Sequence, residues 1–147
     1  MAKDVYTQSN AITEVALSRF RKGEYSRLLD CGVARVERER AGQDLLDYLC
    51  DKFGIARVRL HVTEQAQKCR KSVRGNVKTL GFYCVTRDIT IYNTTAKIGK
   101  VVSIKVFAET LLHEFAHHYD HYYLHFPTSP HTSGFYHRIG DLQGKLK

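Results

Sequence analysis

Apolar residues recur along residues 103–124 with a helical period: Ile104, Phe107, Ala108, Leu111, Phe115, Tyr119 and Tyr122 share one broad stripe at about 100° per residue. Ser103 precedes the stripe as a natural N-cap and neither proline nor glycine interrupts it, so the spacing predicts a helix packed on a core. Upstream, Ala56, Val58, Leu60 and Val62 alternate with Arg57, Arg59, His61 and Thr63, the period of a half-buried strand. Residues 79–86 and 88–93 are rich in aromatic and β-branched types and nearly contiguous, which predicts a hairpin turning around Arg87 and Asp88. Residues 10–22, 25–40 and 43–53 have helical patterns, the last through Leu45, Leu46, Leu49 and Phe53, and Phe135, Ile139 and Leu142 mark another. Helices, then strands, then helices predict an α+β fold: a small, mostly antiparallel sheet packed with helices, with the 103–124 helix beneath it.

A single domain over residues 1–147 is expected, a helical segment 1–42 preceding a core 43–147, because 147 residues are enough to bury one core. With 43% apolar and 26% charged residues the composition is that of an ordinary globular chain. No apolar run approaches the roughly 20 residues of a membrane span, and the first residues lack the apolar stretch of a secretory signal. An intracellular, cytoplasmic protein without a membrane partner is therefore expected. Cys31, Cys50, Cys69 and Cys84 are widely spaced with no C-x-x-C, so reduced thiols are expected rather than a zinc ribbon or a disulfide framework.

Charge adds a candidate surface. Lys and Arg number 23 against 15 acids, a net charge of +8, and Lys68, Arg70, Lys71, Arg74 and Lys78 lie in a stretch free of acids. A loop of this kind can grip a phosphate backbone, with DNA as partner, or simply remain solvated. Arg57 and Arg59 either extend that patch or keep one face of their strand wet.

The chemistry is concentrated on the 103–124 helix, which contains His113-Glu114-Phe115-Ala116-His117, an H-E-x-x-H motif. Given this composition, about 0.02 such motifs are expected by chance. Histidines four apart lie one turn apart on one face and can share a zinc ion, while the glutamate faces the metal's open position. Here they point away from the apolar stripe, toward a cleft. A hydrolytic zinc needs a third protein ligand. No glutamate follows Glu114, and Asp120 and Tyr123 stand where a longer H-E-x-x-H-x-x-G-x-x-H pattern would place its glycine and last histidine. His121 extends the series, but eight helical residues rise about 12 Å, too far for one ion. His131 is the better candidate, since it follows the turn bounded by Pro127 and Pro130 and precedes the last helical pattern.

The stretch from Glu109 to Asp120, followed by Ser129-Pro-His-Thr-Ser-Gly-Phe135, resembles the SprT-like metallopeptidases, minimal zincins that include the Spartan-type DNA–protein crosslink proteases. In that family the H-E-x-x-H helix is followed by H-G-x-x-F, whose histidine completes the zinc site. His131 and Phe135 match, while Thr132 replaces the glycine. The segment 79–93 is similar to the family's paired strands, so the resemblance spans about residues 45–142. It implies one zinc per chain on His113, His117 and His131, and a protein or peptide substrate associated with DNA. Zinc would bring the pKa of a water from 15.7 toward about 7, with Glu114 as the general base that passes the proton to the leaving amine. Tyr122, Tyr123, Tyr136 and His137 are candidates to stabilise the oxyanion, and none is selected by spacing. Asp120, one turn after His117, either orients a histidine or is an exposed charge. Residues 88–93 are the expected sheet edge for an extended peptide. Two other readings fit the same residues: a zinc-dependent protease that cleaves one repressor-like protein, and a basic binding module with a structural metal.

Overall fold

Asp4 opens the first helix, its carboxylate accepting the backbone N–H of Thr7 at 2.8 Å, and α1 runs over Val5–Ala11. The computed structural model of the protein describes residues 4–66, 69–72, 75–78, 80–94 and 100–147. After α1 come α2 (Gly23–Leu29) and α3 (Arg35–Phe53); α3 ends at Gly54, whose φ of 69° is the left-handed conformation glycine adopts without strain. Strands β1 (Arg59–Ala66), β2 (Cys69–Ser72), β3 (Gly75–Lys78), β4 (Gly81–Cys84) and β5 (Asp88–Thr94) follow, and then α4 (Ile104–Tyr122) and α5 (Ser133–Leu146).

The fold is α+β, but the main sheet is mixed rather than mostly antiparallel. β5 lies in its middle, with β4 antiparallel on one side and β1 parallel on the other, in register from Arg59–Asp88 to Thr63–Tyr92. The expected hairpin is β4–β5, turning at Arg87 with a φ of 71°. The open edge beside the hairpin is therefore β4, and not residues 88–93. The basic stretch is not a loop. β2 and β3 pair as an antiparallel ribbon of their own, with Arg70 and Lys71 in β2 and Lys78 in β3; Lys68 and Arg74 lie outside the described residues.

The N-terminal third departs from the helical pattern. Residues 12–22, expected to be helical, form an irregular strap because other elements satisfy its backbone groups. Val15 N–H donates to Asp141 Oδ2 at 2.9 Å, Ala16 N–H to the Tyr119 hydroxyl at 3.1 Å, and Leu17 C=O accepts from Lys145 Nζ at 3.1 Å. With those groups paired, the strap can press Val15, Leu17 and Phe20 onto the core without helix formation. The expected 25–40 helix is also broken, between Leu29 and Arg35, where the Gly32 carbonyl accepts from Arg38 Nε at 2.8 Å.

Leu45, Leu46 and Leu49 of α3, Leu60, Ile89 and Ile91 of the sheet, and Phe107, Leu111, Phe115 and Tyr119 of α4 form one buried cluster. Each such side chain contributes about 1.5–3 kcal/mol by leaving water. α4 is covered on more sides than one stripe suggests, by β4 and β5, by α2 and α3, and by α5. That enclosure fixes the helix bearing the H-E-x-x-H motif. No helix among the described residues is long and apolar enough to cross a membrane, and Cys31, Cys50 and Cys84 are free thiols.

Candidate metal centre

Ser103 caps α4, its hydroxyl accepting the N–H of Val106 at 3.1 Å, and the helix then carries His113 and His117 one turn apart. Beyond Tyr122 the chain reverses through His125, at a φ of 59°, and Phe126 N–H returns to the Asp120 carbonyl at 2.9 Å. The returning segment ends at Thr132, whose Oγ1 accepts the Phe135 N–H at 3.0 Å and so starts α5. Thr132 is thus a helix cap, buried and 2.7 Å from Ser9 Oγ. The glycine the fold needs comes two residues later. Gly134 lies so close to the Ser9 carbonyl that a side chain has no room.

This turn and cap deliver His131 to the helix histidines. Its Nε2 lies 3.2 Å from His113 Nε2 and 3.1 Å from His117 Nε2. Tetrahedral zinc bonded at about 2.0–2.1 Å would hold its ligand nitrogens about 3.3–3.4 Å apart, close to these two separations, and all three ligand atoms lie within 4.8 Å of one another. Among the described residues they are the group able to hold a metal. The Phe135 ring backs all three, stacked on His117 at 4.6 Å and within 5.3 Å of the other two. Phe135 is thereby the wall behind the imidazoles.

Burial sets the protonation of the site. It pushes His117 down to about 3 and His113 down to about 4, with neighbouring histidines adding to the effect, so both imidazoles are neutral at pH 7. It pushes Glu114 up to about 7, which places a proton acceptor near neutrality. The Glu114 carboxylate lies 4.0 Å from His113 Nε2, on the edge of the imidazole cluster.

Behind the ligands lies a polar chain that the sequence only half revealed. His117 Nδ1 is 2.7 Å from Ser129 Oγ, Ser129 donates to Asp120 Oδ2 at 2.8 Å, and both Asp120 oxygens accept from Arg138 Nη2 at 3.0 and 3.1 Å. Asp120 is fully buried, not an exposed charge, and it reaches a histidine only through Ser129. Burial raises its carboxyl above the usual carboxylate range, against the pull of Arg138 and the Ser129 hydroxyl. Ser129 and Arg138 carried no sequence signal of this role: a serine between prolines and an arginine on a helical face are ordinary.

Between β4 and α4 runs a cleft of about 380 Å³, walled by Gly81, Tyr83 and Val85 on one side and by Glu114, His121 and the three histidines on the other. Gly81 permits this closeness, since a Cβ there would meet the Thr90 carbonyl at 2.7 Å and Thr110 Cγ2 at 3.2 Å. Of the candidate oxyanion donors, Tyr136 is nearest, its ring 6.0 Å from His113 and 5.9 Å from His131. Tyr122 donates to the Val85 carbonyl at 3.2 Å, Tyr123 stacks on Tyr119 at 4.9 Å, and His137 is exposed. Arg70, Lys71 and Lys78 belong to the separate β2–β3 ribbon. No protein-family model, no curated protein and no solved structure matches this chain.

Proposed function

We propose that the protein is an intracellular zinc metallopeptidase, a minimal zincin of the kind its H-E-x-x-H and His131 segments resemble. The observation that carries this reading is the convergence of three imidazoles, with His131 Nε2 3.1–3.2 Å from the other two, and a carboxylate of raised pKa beside them. His113, His117 and His131 would hold the metal through Nε2. When bound, zinc supplies Lewis acidity, making a water acidic near neutral pH and polarising the scissile carbonyl.

Glu114 accepts a proton from the attacking water and returns it to the leaving amine. The β4 edge aligns the substrate. In the antiparallel β4–β5 pair, Leu80 C=O accepts from Tyr92 N–H at 3.1 Å, so alternate residues turn their backbone groups toward β5. Gly81 and Tyr83 then present theirs to the cleft, where an extended peptide can pair with them. The β2–β3 ribbon gives the reading its DNA side, because a two-stranded ribbon bearing Arg70, Lys71 and Lys78 has the form of elements that enter a major groove.

The test is zinc content together with cleavage of casein and of the protein itself, with and without single-stranded DNA, in wild type and Glu114→Gln. One zinc per chain in both proteins, with cleavage lost by about 10²–10⁴-fold in Glu114→Gln, is expected. Purified wild type without stoichiometric metal overturns the reading. Cleavage of one defined protein, indifferent to DNA, favours a regulatory protease instead.

A further inference from the structure

A neutral imidazole carries one proton, and either ring nitrogen can hold it. A histidine that ligates through Nε2 must keep that proton on Nδ1, so whatever meets Nδ1 decides how much of the ligand is ready to bind. At His117 the partner is Ser129 Oγ, 2.7 Å away. A hydroxyl can donate or accept, so by itself it selects neither tautomer. Asp120 removes the ambiguity. A carboxylate can only accept, so at 2.8 Å it takes the Ser129 proton and leaves the serine a lone pair for the Nδ1 proton. Both Asp120 oxygens also accept from Arg138 Nη2, at 3.0 and 3.1 Å between side chains that are 1% and 0% exposed, so the carboxyl faces Ser129 as an acceptor.

The far end of this chain is tied to the N-terminal segment. Arg138 Nη1 donates to the carbonyls of Ser9 and Ile12, each at 2.7 Å, and Nη2 donates to Ser9 Oγ at 3.0 Å. A buried guanidinium with this many acceptors holds one rotamer, and the carboxylate and hydroxyl beyond it follow. Among the described residues, neither His113 nor His131 has a comparable chain on Nδ1.

We propose that Ser129, Asp120 and Arg138 are positioning residues that select the Nδ1–H tautomer of His117 and thereby hold its Nε2 lone pair ready for the metal. The proposal rests on the metal-binding part of the function proposed above. Zinc affinity by chelator competition and the imidazole nitrogen signals of the metal-free protein, labelled at histidine with ¹⁵N, test it in wild type, Ser129→Ala and Ser129→Thr. Ser129→Ala is expected to bind zinc about 10–100-fold more weakly, with Ser129→Thr restoring most of the affinity. Metal-free wild type is expected to show His117 protonated at Nδ1, and Ser129→Ala a mixture of tautomers. Equal zinc affinity in Ser129→Ala and wild type, or a wild-type His117 protonated at Nε2, overturns the proposal. A wild type that binds no zinc overturns the metallopeptidase reading instead, and the tautomer measurement still decides the positioning chain.

Discussion

The Tyr83 hydroxyl donates to His118 Nδ1 at 3.0 Å, joining one wall of the cleft to the other. The direction is fixed because His118 gives its own proton, from Nε2, to the Ala56 carbonyl at 2.6 Å. His118 is therefore a structural histidine, although it is adjacent in sequence to a member of the histidine cluster. Tyr83→Phe leaves a buried acceptor without its donor, which costs about 1–3 kcal/mol. Thermal denaturation should show that loss while zinc content stays at the wild-type level. Under the proposed function, peptide assays should show KM rising more than kcat falls, since the bond holds the β4 strand.

Acidity should act on the metal-free protein through three groups with opposing signs. Folding depresses His113 to about 4 and His117 to about 3 from an ordinary 6.5, so below 6.5 the unfolded chain binds more protons at both. Their contribution is complete above 6.5 and lost as pH falls. Folding raises Glu114 from 4.5 to about 7, so its contribution is present below 4.5 and lost as pH rises through 7. Two histidines outweigh one carboxyl between 4.5 and 6.5, and stability should fall with acidification there. Denaturant titrations of Glu114→Gln should give a steeper fall than wild type; a shallower one would contradict these assignments.

Gly134→Ala tests the docking of the first helix onto the last. The added methyl collides with the Ser9 backbone, and α1 must move away, losing the Asn10 Oδ1 contacts to Ser133 Oγ at 2.9 Å and to Gly134 N–H at 3.1 Å. A loss of about 3 kcal/mol or more is expected, with limited proteolysis opening the chain before residue 16. Gly140 and Gly144 on the same helix have open space around them. Alanine at either should stabilise by up to about 1 kcal/mol, so the contrast isolates the contact from a general effect of glycine replacement.

Zinc should stabilise the fold by mass action. At a free concentration 100 times Kd the gain is about 2.7 kcal/mol, visible as a higher Tm that a chelator reverses. His131→Ala should lose that increment with little change in the metal-free Tm, because His131 is exposed.

Legibility in the sequence followed locality. The α4 stripe, its Ser103 cap, the paired histidines and the return of His131 all lie within some thirty residues, where period and turn chemistry decide the outcome. The parallel pairing of β1 with β5, Leu60 beside Ile89, skips the strands between them, and alternation within a strand does not name its neighbour. The strap at 12–22 failed as a helix for a related reason: its backbone partners Asp141, Tyr119 and Lys145 are more than a hundred residues away. Asp120 could be suspected from its helical position, but its route to His117 needed Ser129 and Arg138 brought together by the turn. Gly32, which interrupts the 25–40 pattern, was a readable break that the apolar period obscured.

Ser9 meets Thr132 and Arg138 across more than 120 residues of chain, and this spacing has a consequence for synthesis on the ribosome. A nascent chain that has just completed the H-E-x-x-H helix carries His113, Glu114 and His117, but neither the third histidine of the cluster nor the arginine that bonds Asp120. Only when the stretch through residue 138 has emerged can the two ends of the fold close on each other. The cluster of three histidines is thus completed late in synthesis, when the last helix closes on the first.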